Sequence, residues 1–190
     1  MLPPVVILCG GLGTRARVIN KNLPKALIKI NKKPFLYWLL KNLEKNKVKK
    51  VFLCVGYKGE QINKYIFKNI NKFKLDIQIS NEGKKLLGTG GAISKIYNKL
   101  DKYFYVMNGD SFLFLNLKKM YTRYLANRKP VLMVILKNQD KNHKNNVIRK
   151  KNYILYNHEI KNSNMKYIDY GILLMKKNIL QKKIKKFQLS

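Results

Sequence analysis

Gly10, Gly11 and Gly13 stand directly behind the apolar run "VVILC", and Thr14, Arg15, Arg17, Lys21 and Lys25 follow at once. No carboxylate occurs anywhere before Glu44. Glycines allow backbone N–H groups to approach an anion closely, and fixed cations neutralise the rest of its charge. A tight turn that merely relieves crowding would explain the glycines but not the flanking cations. The combination points to a triphosphate or pyrophosphate ligand.

A dinucleotide is the nearest competitor. Gly11-Leu12-Gly13-Thr14-Arg15-Ala16 satisfies G-x-G-x-x-G/A behind a strand. That fingerprint also asks for an acid near the end of the next strand, to hold a ribose hydroxyl. The corresponding stretch, "KINKK" at 29–33, has none. Only a cofactor with a 2′-phosphate survives, and the phosphate-loop pattern G-x-x-x-x-G-K-[ST] is absent.

A second cluster supplies the missing acid. "YFYVMNGD" ends in Asn108-Gly109-Asp110, a turn behind a buried run. Asn-Gly-Asp is good turn chemistry in its own right. It also puts a carboxylate behind a buried strand, at the edge where open α/β sheets bind ligands.

These clusters need a scaffold. Unbroken β-branched runs at 5–9 and 50–56 predict buried strands, as do 75–80, 103–108, "PVLMVIL" and "YIDYGILLM" at 167–175. Between them, 34–46, 59–70, 89–100 and "LKKMYTRYLAN" read as helices, the first with Phe35, Trp38, Leu39 and Leu43 on its apolar stripe. Pro34 suits a first helical turn, and Thr89 an N-cap. Shorter strands are expected at Val147-Ile148 and 153–156, and a basic amphipathic helix at the end. Alternation of this kind predicts an α/β, Rossmann-like, mostly parallel sheet with helices on both faces. Ligands of such sheets sit at the carboxyl ends of the strands, where 10–17, 81–89 and 108–111 all fall.

Composition sets the class. The 190 residues suffice for one domain with a real core. The chain carries 41 Lys and Arg against 9 Asp and Glu, a net charge of +32 and a pI near 10.2. Lysine is spread over nearly every segment, so compositional bias explains it better than a dedicated nucleic-acid face does. Polyanion binding is then expected to be nonspecific and salt-sensitive, whereas a nucleic-acid-binding protein would bind selectively at physiological salt. Cys9 and Cys54 sit in apolar runs without metal-type spacing and read as buried free thiols. The first residues are too short and too soon broken for a membrane span or signal peptide, which predicts a cytoplasmic protein.

The motifs together resemble those of a known family. "CGGLGTR…LPKAL" is similar to the opening signature of the sugar-1-phosphate nucleotidylyltransferases. "KPFLYWLL…VKKVFLCVGYKGEQI…LLGTGGAI…VMNGDS…MKYIDYGILLM" follows the branch that resembles D-glycero-D-manno-heptose 1-phosphate guanylyltransferases. The likeness runs in order from about residue 5 to about residue 180. It implies the nucleotide-diphospho-sugar transferase fold and transfer of a nucleotidyl group from an NTP, GTP first, to a sugar 1-phosphate.

By that resemblance, Gly10, Gly11, Gly13 and Thr14 cradle the triphosphate, and Arg15 and Lys25 hold its charge at the reacting centre. Asp110 holds Mg²⁺. Gly88 and Thr89 border the base and ribose, and Glu82 meets the base edge or is simply a solvated acid. Asn108, His158 and Asp169 make the sugar-phosphate side. His158 stands where the family commonly has a lysine, with Asn157 and Lys161 beside it, and reads equally as a surface histidine. An unpaired Asp169 among aromatics would be costly, so a polar partner is expected. Related proteins supply a further metal-binding acid near their C-terminus, and no acid follows Asp169 here. The expectation is one nucleotidyltransferase domain over 1–190 that is C-terminally short, with a nucleotide or sugar-phosphate binder of degenerate activity as the alternative.

Overall fold

The computed structural model describes residues 1–11, 22–83, 87–127, 129–139, 145–151, 153–157 and 164–180. Four strands form the parallel half of one sheet: β1 (Val5–Cys9), β4 (Lys50–Val55), β5 (Asp76–Asn81) and β6 (Tyr103–Asn108), in the spatial order β5-β4-β1-β6. Between β1 and β4 the chain makes a small hairpin, β2 (Lys29–Ile30) and β3 (Lys33–Pro34). Its turn residues, Asn31 and Lys32, both have positive φ, as a two-residue hairpin turn requires.

Each central strand is buried on both faces, which is why these runs are unbroken and apolar. Val5, Ile7, Val51, Leu53, Val55, Tyr105 and Met107 face one way. They pack on Leu36, Leu39, Leu40 and Leu43 of helix α1 (Phe35–Lys45), Ile62 and Ile66 of α2 (Gly59–Asn69), and Leu117, Met120 and Tyr124 of α4 (Leu117–Asn127). Val6, Phe52, Cys54, Phe104 and Val106 face the other way, onto Ala92 and Ile93 of α3 (Gly88–Lys95). Helices therefore cover both faces, as the alternation predicts.

Two local expectations are corrected. The buried stripe of α1 is Leu36, Leu39, Leu40 and Leu43, while Phe35 and Trp38 are only half-buried at its flank. Trp38 instead donates its indole N–H to the Ile30 carbonyl at 2.9 Å and pins the hairpin to the helix. Thr89 does not cap α3: the helix begins one residue earlier, at Gly88, and no side chain caps it.

The remaining strands are antiparallel. β10 (Tyr167–Lys176) runs against β6, and β7 (Val131–Lys137), β8 (Val147–Arg149) and β9 (Ile154–Tyr156) extend the sheet beyond it. β10 pairs with β6 through Ile172↔Met107 to Lys176↔Tyr103, so its first residues project past the carboxyl end of β6. Asp169 and Gly171 thereby reach the edge at which β1, β5 and β6 end.

Candidate active site

The strand order reverses at one place. The chain moves outward from β1 to β4 to β5, then returns to lay β6 on the other side of β1. The gap between the carboxyl ends of β1 and β6 is the switch point at which open α/β sheets bind ligands. Gly10 and Gly11 leave β1 there, and Asn108, Gly109 and Asp110 leave β6 there.

Gly109 explains how closely the two exits approach. Its N–H donates to the Leu8 carbonyl at 3.0 Å, and a Cβ on it would lie 2.5 Å from Cys9 Sγ and 2.7 Å from that carbonyl oxygen. No other residue fits without moving β1. Asp110 is thereby carried to the rim, exposed, and Lys25 meets it from the 3₁₀ turn Lys25–Leu27, with Nζ 2.7 Å from Oδ2. Ser111 Oγ lies 3.4 Å from the other carboxylate oxygen. The loop behind Asp110 is tied to α1: Asn42 donates to the Leu113 carbonyl at 2.9 Å, and Asn46 accepts from Leu117 N–H at 3.0 Å.

Glu82 follows β5 and occupies the floor beside Gly10. Its backbone N–H donates to the Val55 carbonyl, and its Oε2 accepts from Leu87 N–H at 2.8 Å. A Cβ on Gly10 would collide with its other carboxylate oxygen. From the sequence Glu82 is either a contact to the base edge or a solvated acid. The carboxylate holds Leu87, the residue before α3, with Gly88 and Thr89 exposed behind it. Gly88, the first residue of α3, has φ +67°, a left-handed conformation that favours glycine.

On the far side, Asp169 has the polar partners its burial calls for. Gly171 N–H donates to Asp169 Oδ1 at 2.8 Å, and Asn146 Oδ1 accepts from Asp169 N–H at 2.9 Å. Burial pushes the Asp169 carboxyl above the usual Asp range, with the Gly171 N–H working the other way. Burial also raises the Tyr156 phenol, and the nearby Asp169 charge adds to that. Gly171, at φ +90°, marks a register shift in β10. A Cβ there would lie 2.8 Å from Ser111 Oγ and 3.3 Å from Asn108 Nδ2. This bulge sets Gly171, which bonds to Asp169, against Asn108 and Ser111.

The structure thus gathers Gly10, Gly11, Lys25, Glu82, Gly88, Thr89, Asn108, Asp110 and Asp169 along one edge. Gly13, Thr14, Arg15 and His158 lie outside the described residues. Gly109, Ser111, Asn146 and Gly171 were not singled out as site residues. The glycines could have been found from the quoted turns, but Asn146 has no sequence signal beyond its strand neighbour. Both thiols are free; Cys54 is buried and Cys9 half-buried. Burial, with Cys54 and Asp110 adding, pushes the Cys9 thiol up to about 12, and burial with Glu82 does the same for Cys54. Neither is a nucleophile at neutral pH.

The family model for nucleotidyl transferases matches residues 4–160. The chain belongs to the nucleotidyl transferase family. It is 42% identical over 115 residues to a D-glycero-alpha-D-manno-heptose 1-phosphate guanylyltransferase of Campylobacter jejuni, a match covering 60% of this chain and 51% of that protein. It is 36% identical over 122 residues to the protein of the same name from Aneurinibacillus thermoaerophilus, covering 64% and 52%. The chain spans about half the length of the curated relatives it matches. Among solved structures, HddC from Yersinia pseudotuberculosis complexed with GMP-PN superposes with a TM-score of 0.78 at 29% identity, over 95% of this chain and 79% of that one. A UDP-glucose pyrophosphorylase complexed with UDP-glucose shares the fold, with a TM-score of 0.76 at 15% identity over 95% and 78%. No helix among the described residues is long and apolar enough to cross a membrane.

Proposed function

We propose that this nucleotidyl transferase moves a nucleotidyl group from an NTP, GTP first, to a sugar 1-phosphate of the heptose class, releasing pyrophosphate. A phosphate oxygen of the sugar phosphate attacks the α-phosphorus in line. The bond from that phosphorus to the bridging oxygen breaks, and pyrophosphate leaves with the electron pair. Such chemistry asks the protein for position and charge. The observation that carries the reading is the meeting of Lys25 and Asp110 across the switch point, beside the glycines that leave β1.

Lys25 neutralises the charge that grows on the transferring and leaving phosphates, and Arg15 is assigned the same work from the sequence. The backbone from Gly10 onward cradles the triphosphate. Asp169, held by Gly171 and Asn146, accepts a sugar hydroxyl, and Asn108 beside it faces the sugar phosphate. GTP and a heptose are preferred on the strength of the named relatives.

Mg²⁺ fits the donors at this place. Among the described residues there is no group of three or more His, Cys, Asp and Glu that could enclose a metal. Asp110 offers one exposed carboxylate with the Ser111 hydroxyl next to it. Mg²⁺ accepts such a set, since it keeps several waters and uses one or two carboxylates with substrate phosphates. When bound, it would neutralise phosphate charge and orient the oxygens. Asp110 would hold it, and Lys25 would exchange its carboxylate partner for phosphate.

The reading is tested by mass spectrometry of the products. The protein, Mg²⁺, each common NTP and a panel of hexose and heptose 1-phosphates are incubated together. One NTP and one sugar phosphate are expected to give the matching NDP-sugar. Binding of NTP with no NDP-sugar from any pair would overturn transfer in favour of a binder.

A further inference from the structure

A second cationic cleft lies at the opposite edge of the sheet. Tyr97, Lys102, Lys176, Lys177 and Asn178 line a cavity of about 400 Å³. The pair Tyr103↔Lys176 marks this edge, while Asn108 at the other end of β6 marks the candidate active site. Five strand steps separate them, roughly 17 Å.

Two of its cations, Lys177 and Lys102, are set against aromatic rings. Lys177 Nζ sits 4.6 Å from the centre of the Tyr97 ring and donates to the Leu100 carbonyl at 2.8 Å. Lys102 Nζ lies over the Tyr103 ring at 5.4 Å. The Lys177 N–H donates to the Lys102 carbonyl at 2.9 Å, which locks the two segments together. Among the described residues the ion pairs are Lys25–Asp110 and Lys41–Glu44, so none of these three ammonium groups meets a carboxylate. Asp101 is exposed next to Lys102 and pairs with none of them. Rings and a carbonyl orient the charges and leave their field intact. Lysines that line one open pocket raise its positive potential, and an anion of high charge density is drawn to it. The volume lies within the range of small-molecule sites.

We propose that this cleft is an anion site, separate from the candidate active site, for a compound with two or more linked phosphates. The shared chemistry is the diphosphate group, whether free or as the tail of a nucleotide. A scattered excess of lysine gives single exposed ammonium groups. It does not account for three lysines lining one cavity with Tyr97, two of them set against rings and joined by a backbone bond. The inference does not depend on the proposed transfer reaction.

The ¹⁵N-labelled full chain, titrated with inorganic pyrophosphate at about 150 mM salt to screen loose attraction, tests it. Saturable amide shifts are expected at Tyr97, Lys102, Lys177 and Asn178, distinct from any at Gly10 and Asp110. Lys102→Ala with Lys176→Ala should weaken that isotherm about tenfold, two charge-assisted contacts open to water together amounting to roughly a decade of affinity. Lys64→Ala with Lys68→Ala, on exposed positions of α2, should leave it unchanged. The single variant Lys102→Gln repeats the test if the double variant melts early. GDP should bind at least as well as pyrophosphate: equal affinity assigns the site to the diphosphate alone, and tighter binding to a nucleotide. No saturable shift at these amides, an unchanged isotherm in both Lys102 variants, equal losses in the α2 control, or inorganic phosphate matching pyrophosphate would each overturn the proposal.

Discussion

Lys25 Nζ lies 2.7 Å from Asp110 Oδ2, across 85 residues of sequence, with both side chains a little over two-fifths exposed. An ion pair this open to water contributes little to stability, on the order of 0–1 kcal/mol. Its place at the switch point gives it meaning instead. It joins the cation proposed for phosphate with the carboxylate proposed for the metal.

Lys25→Met is therefore expected to leave the melting temperature nearly unchanged. It should lower turnover by about 10²–10³-fold, the scale of losing one preorganised charge at a reacting phosphate. Steady-state kinetics and a thermal melt on the same sample check both parts. A loss of stability with normal turnover would move Lys25 out of the site.

Gly10→Ala places a methyl group against the Glu82 carboxylate. To make room, Glu82 must swing away from Leu87 N–H, which loosens the entry to α3. The expected cost is about 1–3 kcal/mol. In the Gly10→Ala/Glu82→Ala pair the two losses should sum to more than the double variant shows, because the clash is removed with the carboxylate. Denaturant unfolding of the three variants measures this.

Asp169 gives a pH signature. Its carboxyl is raised above the ordinary Asp value, chiefly by burial, so the folded state holds the proton more tightly than the unfolded chain. The stability it contributes is fully present below the unfolded pKa and is lost as pH rises through the folded one. Asp169→Asn keeps an oxygen to accept from Gly171 N–H and removes the charge. It should melt higher at neutral pH, by on the order of 2 °C, and the gain should vanish as pH falls below the ordinary Asp range. If Asp169 contacts the sugar, the KM for sugar phosphate rises in the same variant.

Glu44 has the opposite sign. Partial burial raises its carboxyl, but bonds from the Lys41 ammonium and Lys74 N–H outweigh this and hold it below the ordinary Glu value. The stability it supplies is present above the unfolded pKa and is lost as pH falls through the folded one. Glu44→Gln should cost about 1–2 kcal/mol at neutral pH and much less in acid, with turnover unaffected. Melts across that range test it.

The residues differ in how far their roles were legible. β1, β4 and β6 could be read because strands buried on both faces must be apolar without a break, and Val5–Cys9 and Lys50–Val55 have that texture. The convergence of Gly10, Asn108 and Asp110 followed from strands that all end at one edge. The phase of α1 did not. "FLYWLL" is apolar all round, so only the sheet beneath it selects Leu36 and Leu40 over Phe35 and Trp38. The antiparallel direction of β10 is equally invisible, since apolar content carries no direction. That the Glu82 oxygen fills the space a side chain on Gly10 would need is invisible in the sequence, because it depends on how the ends of β1 and β5 approach each other. Asn146 reaches Asp169 only through the pairing of β8 with β10.

The most direct test of nucleotidyl transfer at this site is pyrophosphate release from GTP by the protein and by Asp110→Asn. Each is assayed with Mg²⁺, with and without a heptose 1-phosphate. The account predicts release that requires the sugar phosphate and falls by at least about 10²-fold in Asp110→Asn, while the melting temperature holds. Release at an equal rate in Asp110→Asn, or GTP bound without any release when the sugar phosphate is present, would contradict it.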